Sequence, residues 1–347
     1  ATEIQTDDAG AVRGLRVRDQ TGEDELDVRS SRVIDATGVW LGHPESRLGG
    51  STMKLVPSRG THLVFERERL PLKIGMTLRV PGRVVFVIPY PGAWVVGTTD
   101  VGDDGAPDRP MPTADEVDEI LGNVNHVLDV GLTRDDAVGA FAGLRPLVGA
   151  PGGDTARVSR EHTIQREDSG LVRVSGGKYT TYRLMARDAV DYVLADEDSM
   201  PASRTHERPL LGAAPRAPLA VLAAELARES GLDEARTQAL VDRHGEEARD
   251  VVALGRAADL MRPLADDRTE LEAEVAWAVE QEHALGLDDV LSRRMRLAMS
   301  RRDRGASLAA RVAEIAGARL GWDAQQQAAE VEQYLQSAHR EYDVPGA

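Results

Sequence analysis

The chain has 347 residues, of which 41% are hydrophobic and 29% are charged, and its formal net charge at pH 7 is −16. This length predicts two or three domains, the composition is that of a globular protein without an apolar run long enough to cross a membrane, and the negative charge argues against broad nucleic-acid binding. Cysteine is absent, which excludes thiol catalysis, cysteine-ligated zinc and iron–sulfur clusters and fits a reducing cytoplasm.

The start of the chain indicates a segment of a longer protein. The first residue is Ala1 rather than Met, and the polar stretch that follows has neither the apolar core nor the charged lead of a signal peptide. We therefore expect the polypeptide to extend upstream of Ala1.

Two strand patterns open the chain. Alternating apolar residues over 12–28, interrupted by turn-forming residues at 19–22, predict a β-hairpin. Residues 32–38 predict a short strand that ends in the small residues Ala36-Thr37-Gly38. Ligands bind at such strand ends in open α/β sheets, so a ligand could approach the backbone there.

The next segment predicts a sheet covered by a helix. Strands are predicted at residues 61–65, 84–89 and 94–99. Pro91-Gly92 is a tight connection between the last two, so we expect these strands to be antiparallel. Residues 113–128 have apolar residues at helical spacing after the capping box Thr113 and Glu116. This helix should cover one face of the sheet.

The most specific local pattern is SGGKYTTYR at residues 175–183. A strand predicted over 171–175 passes through two glycines directly into a helical pattern, and such a turn suits a bound anion at the helix start. Lys178 is one of three lysines in a chain rich in arginine, which indicates a lysine-specific role. The alternative is an ordinary strand-to-helix turn with Lys178 solvated.

The remainder predicts a separate helical domain. Prolines after residue 200 mark a change of composition, and helices are predicted at residues 219–229, 234–244, 270–285, 307–320 and 324–339. Six arginines lie close together in this part: Arg293, Arg294, Arg296, Arg301, Arg302 and Arg304. A solvated helix face paired with acids is the favoured interpretation, and attachment to a membrane surface is the alternative.

Four side chains outside the glycine turn are candidates for chemistry. Arg145 lies in the apolar stretch AGLRPL, where either a bound phosphate or a structural ion pair would compensate its charge. Arg160 and His162 share a face of a predicted strand, so either could reach a pocket, or Arg160 could pair with an acid. His62 could accept a proton near neutral pH, although a lone histidine is more often structural. The histidine spacings and the lack of a Gly-x-Ser-x-Gly sequence predict neither a metal site nor an acyl-transfer hydrolase.

Seven motifs occur in an order that is typical of one known family. They are VIDATGVW at 33–40, SRGTHLV at 58–64, VFVIPY at 85–90, VGTTD at 96–100, GLRPL at 143–147, SREHTI at 159–164 and SGGKYTTYR at 175–183. Together with the helical stretch 209–342, they resemble the FAD-dependent glycerol-3-phosphate dehydrogenases of the bacterial aerobic type. The Gly-x-Gly-x-x-Gly turn that receives the flavin pyrophosphate is absent, so the resemblance implies an N-terminally truncated member.

The resemblance implies a fold of the α/β plus all-α class. It would have an incomplete FAD-binding Rossmann-like domain with an antiparallel-sheet substrate domain, followed by a C-terminal helical domain. Residues 1–50 and 165–200 would be the remainder of the FAD-binding domain, residues 51–164 the substrate-binding domain, and residues 205–345 the helical domain.

The resemblance also implies roles for single residues. The cofactor would be FAD, bordered by Ala36, Thr37, Gly38, Arg160, Gly177, Lys178 and Thr180. The catalytic residues would be His62, Arg145 and Lys178. Arg145 would bind the phosphate of sn-glycerol 3-phosphate, His62 would be the general base near the C2 hydroxyl, and Lys178 would stabilise negative charge on the flavin ring.

The implied reaction transfers a hydride from C2 of glycerol 3-phosphate to FAD, yields dihydroxyacetone phosphate and passes electrons to a quinone. An oxidase that uses O2 would carry the same motifs, and an inactive fragment whose helical domain is an interaction module is a second alternative. The location would be cytoplasmic; peripheral contact with the inner face of the cell membrane and a homodimer are left open. Because the pyrophosphate-binding turn is absent, we expect residues 1–347 alone to bind FAD weakly.

Overall fold

The structure is a computed structural model that describes residues 1–22, 24–42, 51, 53–81, 83–103, 105–149, 161–197 and 199–347. The chain divides into two compact units. The first unit comprises Ala1–Thr61, Thr98–Met111 and Ala142–Arg208, and the second comprises His62–Gly97, Pro112–Phe141 and Pro209–Ala347. The three-part division expected from the sequence stays a prediction. The mixture of sheets with a helical C-terminal part agrees with the predicted fold class.

The strands of the described residues form three sheets. In chain order the strands are β1 (Glu3–Thr6), β2 (Val12–Arg18), β3 (Glu25–Arg29), β4 (Ile34–Asp35), β5 (Leu55–Glu66), β6 (Met76–Val80), β7 (Arg83–Tyr90), β8 (Ala93–Gly97), β9 (Val101–Gly102), β10 (Ala137–Val148), β11 (His162–Arg166) and β12 (Val172–Gly176). One sheet has the order β1-β2-β3 and another the order β11-β12-β4. The largest has the order β10-β5-β8-β7-β6, with β9 paired to β5.

The helices occupy the connections and the C-terminal part. In chain order they are α1 (Ala114–Leu128), α2 (Tyr182–Val193), α3 (Arg216–Ser230), α4 (Glu234–His244), α5 (Ala248–Ala257), α6 (Glu272–Glu280), α7 (Leu297–Ser300), α8 (Ala306–Leu320) and α9 (Ala324–Tyr342). A π-helical segment, Asp289–Arg294, precedes α7. Among the helices of the described residues, none is both long and apolar enough to pass through a bilayer.

The two small sheets belong to the first unit. The predicted hairpin over residues 12–28 is confirmed, because β2 and β3 pair in antiparallel register. The strand predicted over 32–38 is shorter than expected, since β4 is limited to two residues. The carboxylate of Asp35 accepts hydrogen bonds from the N–H and Oγ1 of Thr37 at 3.1 and 2.7 Å. This turn leads the chain into a 3₁₀ helix at Gly38–Trp40.

The largest sheet supplies the β part of the second unit. The three antiparallel strands predicted between residues 61 and 99 are confirmed as β5, β7 and β8, and β6 adds a strand that the sequence patterns did not indicate. Val85 and Val87 of β7 are buried against α1. The capping box of α1 is also confirmed: Thr113 Oγ1 accepts from the N–H of Glu116 at 3.3 Å, and Glu116 accepts from the N–H of Thr113 at 3.0 Å.

The helices after residue 209 pack into a common core in the second unit. All five predicted helices occur, as α3, α4, α6, α8 and α9, while α5 and α7 were not predicted. Helix α6 ends at Glu280, before the predicted end at residue 285. The N–H groups of Gln281 and Glu282 both return to the carbonyl of Trp277, and His283 has a φ of +55°, which ends the helix.

The six clustered arginines are mostly paired with acids. In the described part of the chain Arg293, Arg294, Arg301, Arg302 and Arg304 form ion pairs, which confirms that part of the prediction. Arg304 is only 5% exposed, so the expectation of a solvated face is wrong for this residue. Its guanidinium pairs with Asp343 at 2.9 Å and also contacts the carbonyl of Val138. Arg296 forms no ion pair with the described residues.

A buried ion pair connects two strands of the sheet β11-β12-β4. Arg173 Nη1 of β12 lies 2.7 Å from Asp35 Oδ2 of β4, and the two side chains are 2% and 1% exposed. The Nε of Arg173 donates to Glu167 at 2.6 Å. Removing one partner of a buried pair leaves an uncompensated charge, which is strongly destabilising.

We predict that Asp35→Asn lowers the free energy of unfolding by about 3 kcal/mol, because Arg173 would stay buried with less compensating charge. Urea unfolding followed by circular dichroism measures the change. Glu25→Gln is the matched control, since the Glu25–Arg18 pair of the same unit is 47% and 49% exposed. The control should cost less than about 1 kcal/mol. Equal losses in the two variants would contradict the importance of burial for this pair.

Candidate functional site

Two turns predicted to bind a ligand meet at one edge of the sheet β11-β12-β4. Strands β4 and β12 are parallel, with Ile34 opposite Val172 and Asp35 opposite Arg173. The turn Ala36-Thr37-Gly38 follows β4, and Gly177-Lys178 follows β12. Because the carboxyl ends of parallel strands lie at the same edge, these two turns are neighbours, as ligand-binding turns are in open α/β sheets.

The backbone of the second turn has a conformation that suits glycine. Gly176 and Gly177 have φ values of +80° and +79°, a region that other residues rarely adopt. Lys178 is exposed and precedes a 3₁₀ turn, Tyr179–Thr181, that contains Thr180 and leads into α2. The side chain of Lys178 does not cap this turn, so the N–H groups at its start have no side-chain cap from that residue.

Two tyrosines beside Lys178 were not singled out from the sequence. The rings of Tyr179 and Tyr182 stack with centroids 6.0 Å apart, and the two residues are 90% and 47% exposed. Large aromatic groups with this exposure provide apolar surface next to the glycine turn. The spacing of the two aromatic residues within the motif at 175–183 is the sequence signal for this pair.

Arg145 lies in β10, in the first unit, within a polar pocket of hydroxyl groups. Its Nη1 donates to Ser58 Oγ at 3.3 Å, and its Nη2 donates to Thr98 Oγ1 at 3.1 Å. The carboxylate of Asp100 lies 3.7 Å from Nη1. Arg145 therefore has an acid partner, as the structural ion pair suggested for it from the sequence requires. The side chain is still 28% exposed, so these partners do not enclose it fully.

His62 lies in the β5 portion of the second unit, opposite Gly97 of β8. Its ring stacks on Phe141, with centroids 5.0 Å apart and an interplanar angle of 11°. A face-to-face neighbour of this kind restrains the orientation of an imidazole ring. Phe141 was not predicted, because its place under His62 depends on which strands are adjacent in the sheet.

The last predicted residue of the site, Arg160, lies outside the described residues, and its role stays a prediction. His162, two positions later in the chain, has its Nε2 3.1 Å from Asp188 Oδ2 of α2. Hydrogen bonds from Arg187 and from His162 hold the pKa of Asp188 below its ordinary value. His162 is therefore part of an ion-paired cluster in the first unit.

Comparison with known proteins shows similarity at the level of sequence families. Residues 203–327 match the model described as the C-terminal domain of alpha-glycerophosphate oxidase. The glycerol-3-phosphate dehydrogenase of Mycobacterium leprae is 38% identical over 327 residues, which are 93% of this chain and 56% of that protein. The mitochondrial glycerol-3-phosphate dehydrogenase SDP6 of Arabidopsis thaliana is 32% identical over 348 residues. The chain thus spans about half the length of the curated relatives it matches.

A solved structure shows the same fold. The glycerol-3-phosphate dehydrogenase from Bacillus halodurans, which was crystallised with FAD, superposes with a TM-score of 0.81. The match covers 97% of this chain and 68% of that chain, at 23% sequence identity.

We predict that Gly176→Ala destabilises the first unit more than Gly170→Ala does. Both glycines have similar positive φ values, +80° and +85°. A Cβ on Gly176 would stand 2.6 Å from the backbone oxygen of Glu161, whereas no described atom lies within 4 Å of that position on Gly170. The Gly170 variant should lose roughly 1 kcal/mol for its left-handed backbone, and the Gly176 variant clearly more. Urea unfolding of both variants gives the comparison, and equal losses would show that the close approach has no energetic effect.

Proposed function

We propose that this chain, a member of the glycerol-3-phosphate dehydrogenase family by its sequence, binds FAD and oxidises sn-glycerol 3-phosphate to dihydroxyacetone phosphate. The observation that carries the proposal is the meeting of the Ala36-Thr37-Gly38 and Gly177-Lys178 turns at one sheet edge. The similarity to named glycerol-3-phosphate dehydrogenases over 93% of the chain supports the choice of substrate.

The residues at this edge fit a flavin. No described atom lies within 4 Å of the position that a Cβ of Gly38 would take, so a planar ring can approach the backbone closely. Ser175 Oγ is buried and makes no hydrogen bond with the described residues, which leaves a polar group for a ligand. Lys178 adds a positive charge at the start of the following turn, whose N–H groups have no side-chain cap from the described residues. When bound, FAD would supply the hydride acceptor for the oxidation of an alcohol to a ketone.

The proposed roles of the other residues follow from their surroundings. Arg145, held by Ser58 and Thr98, would bind the substrate phosphate. His62, oriented by Phe141, would take the proton of the C2 hydroxyl. Lys178 would stabilise negative charge that develops during the reaction, since a fixed cation needs no reorganisation at that moment. The role of Arg160 rests on the family resemblance alone, by which it would border the flavin.

The proposal predicts that glycerol 3-phosphate bleaches the visible flavin absorbance under anaerobic conditions. The test uses the natural polypeptide that carries these 347 residues, purified with its flavin. His62→Asn should keep the flavin and slow bleaching by about 100-fold or more, because the general base is lost. Retained flavin without bleaching by the unaltered protein would refute the proposed function, and full-rate bleaching by His62→Asn at all pH values would refute the role of His62.

The same reduced protein identifies the electron acceptor. We propose a quinone, in line with the family resemblance; because quinones dissolve in the bilayer, this acceptor implies peripheral contact with a membrane. Mixing the reduced protein separately with a soluble quinone analogue and with oxygen compares the two acceptors. Faster reoxidation by oxygen would favour an oxidase instead.

For the phosphate-binding role we predict that Arg145→Lys raises KM for glycerol 3-phosphate about tenfold with a smaller effect on kcat. Lysine keeps the charge but loses the paired N–H groups of the guanidinium. Arg32→Lys is the matched control, since Arg32 is also 28% exposed and pairs with Asp196 and Glu197 in the same unit. An unchanged KM for Arg145→Lys, or the same rise in the control, would reject the assignment.

A further inference from the structure

A cavity of about 300 Å³ lies in the second unit, at the turn between β7 and β8. It is lined by Tyr90, Pro91, Asp242, Arg243, His244, Arg268, Glu270, Glu274, Glu282, Arg294, Met295, Arg296 and Ser300. Along β8, Ala93 is opposite Tyr90, and Gly97 is opposite both Phe86 and His62. These positions are four residues apart, or about 13 Å along the strand. The cavity is therefore separate from the surroundings of His62.

One wall of the cavity is a saturated ionic cluster. Glu274 is 4% exposed and accepts hydrogen bonds from Arg243 at 2.7 and 2.9 Å, from the N–H of Leu271 at 2.7 Å, and lies 2.9 Å from His244 Nε2. Burial acts to raise the pKa of Glu274, but His244 and Arg243 outweigh it and hold the pKa below its ordinary value. Four hydrogen bonds satisfy a carboxylate. Glu274 is thus a fixed part of the wall.

Other residues that line the same cavity have charged groups or N–H donors without a partner among the described residues. The guanidinium of Arg296 and the carboxylate of Glu282 form no hydrogen bond or ion pair there; the carbonyl of Glu282 accepts from Arg294 at 2.6 Å. Arg268 binds Glu270 through Nε and Nη2, at 3.2 and 3.1 Å, and its Nη1 makes no hydrogen bond within the described chain. Arg296, Glu282 and Arg268, whose side chains each have a charged group or N–H without a partner among the described residues, thus line one cavity.

The backbone that carries Arg296 is unusual. The residue has a φ of +57°, although it is not glycine, and it follows the π-helical segment Asp289–Arg294. Left-handed residues and π-helical turns are both rare and occur disproportionately at functional sites. The conformation also brings Arg294, Met295 and Arg296 in succession to the wall of the cavity.

We propose that this cavity binds a small phosphorylated polyol. The phosphate would be held by Arg296 and the Nη1 of Arg268, since guanidinium groups bind phosphate oxygens with paired N–H donors. The hydroxyl groups would donate to Glu282, because an ionised carboxylate is an acceptor only. A bare anion would be repelled by Glu282, so the combination selects a ligand that carries both groups. The volume lies at the lower end of the range for small-molecule sites, which fits a ligand of a few carbon atoms.

The experiment is isothermal titration calorimetry of the natural polypeptide with glycerol 2-phosphate, with inorganic phosphate and glycerol as comparison ligands. Glycerol 2-phosphate should bind most tightly. Arg296→Asn should weaken its binding at least tenfold, and asparagine tolerates the left-handed backbone, so folding is preserved. Glu282→Gln should reduce the preference for glycerol 2-phosphate over inorganic phosphate. Arg262→Asn is the control, because Arg262 is exposed and lies outside the cavity lining.

Each outcome bears on the site itself. Binding that Arg296→Asn leaves unchanged would place the ligand elsewhere, including at Arg145, and would overturn the proposal. Equal affinity for inorganic phosphate and glycerol 2-phosphate would overturn the proposed ligand class. The test does not depend on oxidation of glycerol 3-phosphate, so its failure and the failure of the proposed function are distinguishable.

Discussion

The ion pair between Arg173 and Asp35 is the constraint on which the candidate cofactor site depends. The two residues are opposite each other in parallel strands, and each is followed within four positions by one of the two turns predicted to bind a ligand. Because the pair is buried, solvent does not screen it, and it holds the strand ends at a fixed separation. The same Asp35 carboxylate accepts two hydrogen bonds from Thr37, so one group fixes both the strand pairing and the shape of the first turn.

Glycine determines how closely polar groups approach one another in the first unit. A Cβ on Gly60 would stand 2.5 Å from both Arg145 Nη2 and Thr98 Oγ1, so the guanidinium reaches the hydroxyl only because that position has no side chain. Gly176, the last residue of β12, permits a similar close approach, because a Cβ there would stand 2.6 Å from the backbone oxygen of Glu161. Arg145 depends on the lack of a side chain at Gly60, and the turn that carries Lys178 depends on the lack of one at Gly176. Motifs with glycines therefore occur next to both candidate residues.

Local features of this fold could be predicted from the sequence, and non-local ones could not. The hairpin, the capping box of α1 and the strand-to-helix turn at Gly176 depend on residues a few positions apart, so their signals are contiguous. Parallel pairing of β4 with β12 joins residues 138 positions apart, and no local pattern specifies it. The neighbours of Arg145 and His62 were missed for the same reason, since Ser58 and Phe141 meet them through strand order.

The balance of charges makes an arginine without an acid partner informative. The sequence has 58 acidic and 42 basic side chains, so a carboxylate is available for almost any guanidinium, and most clustered arginines of the second unit have one. Arg296 differs, because it has a left-handed backbone and forms no ion pair with the described residues. An exposed side chain alone would be unremarkable. Its rare backbone conformation, the cavity that it shares with Glu282, and the lack of an ion partner for either side chain among the described residues together favour a ligand in this cavity.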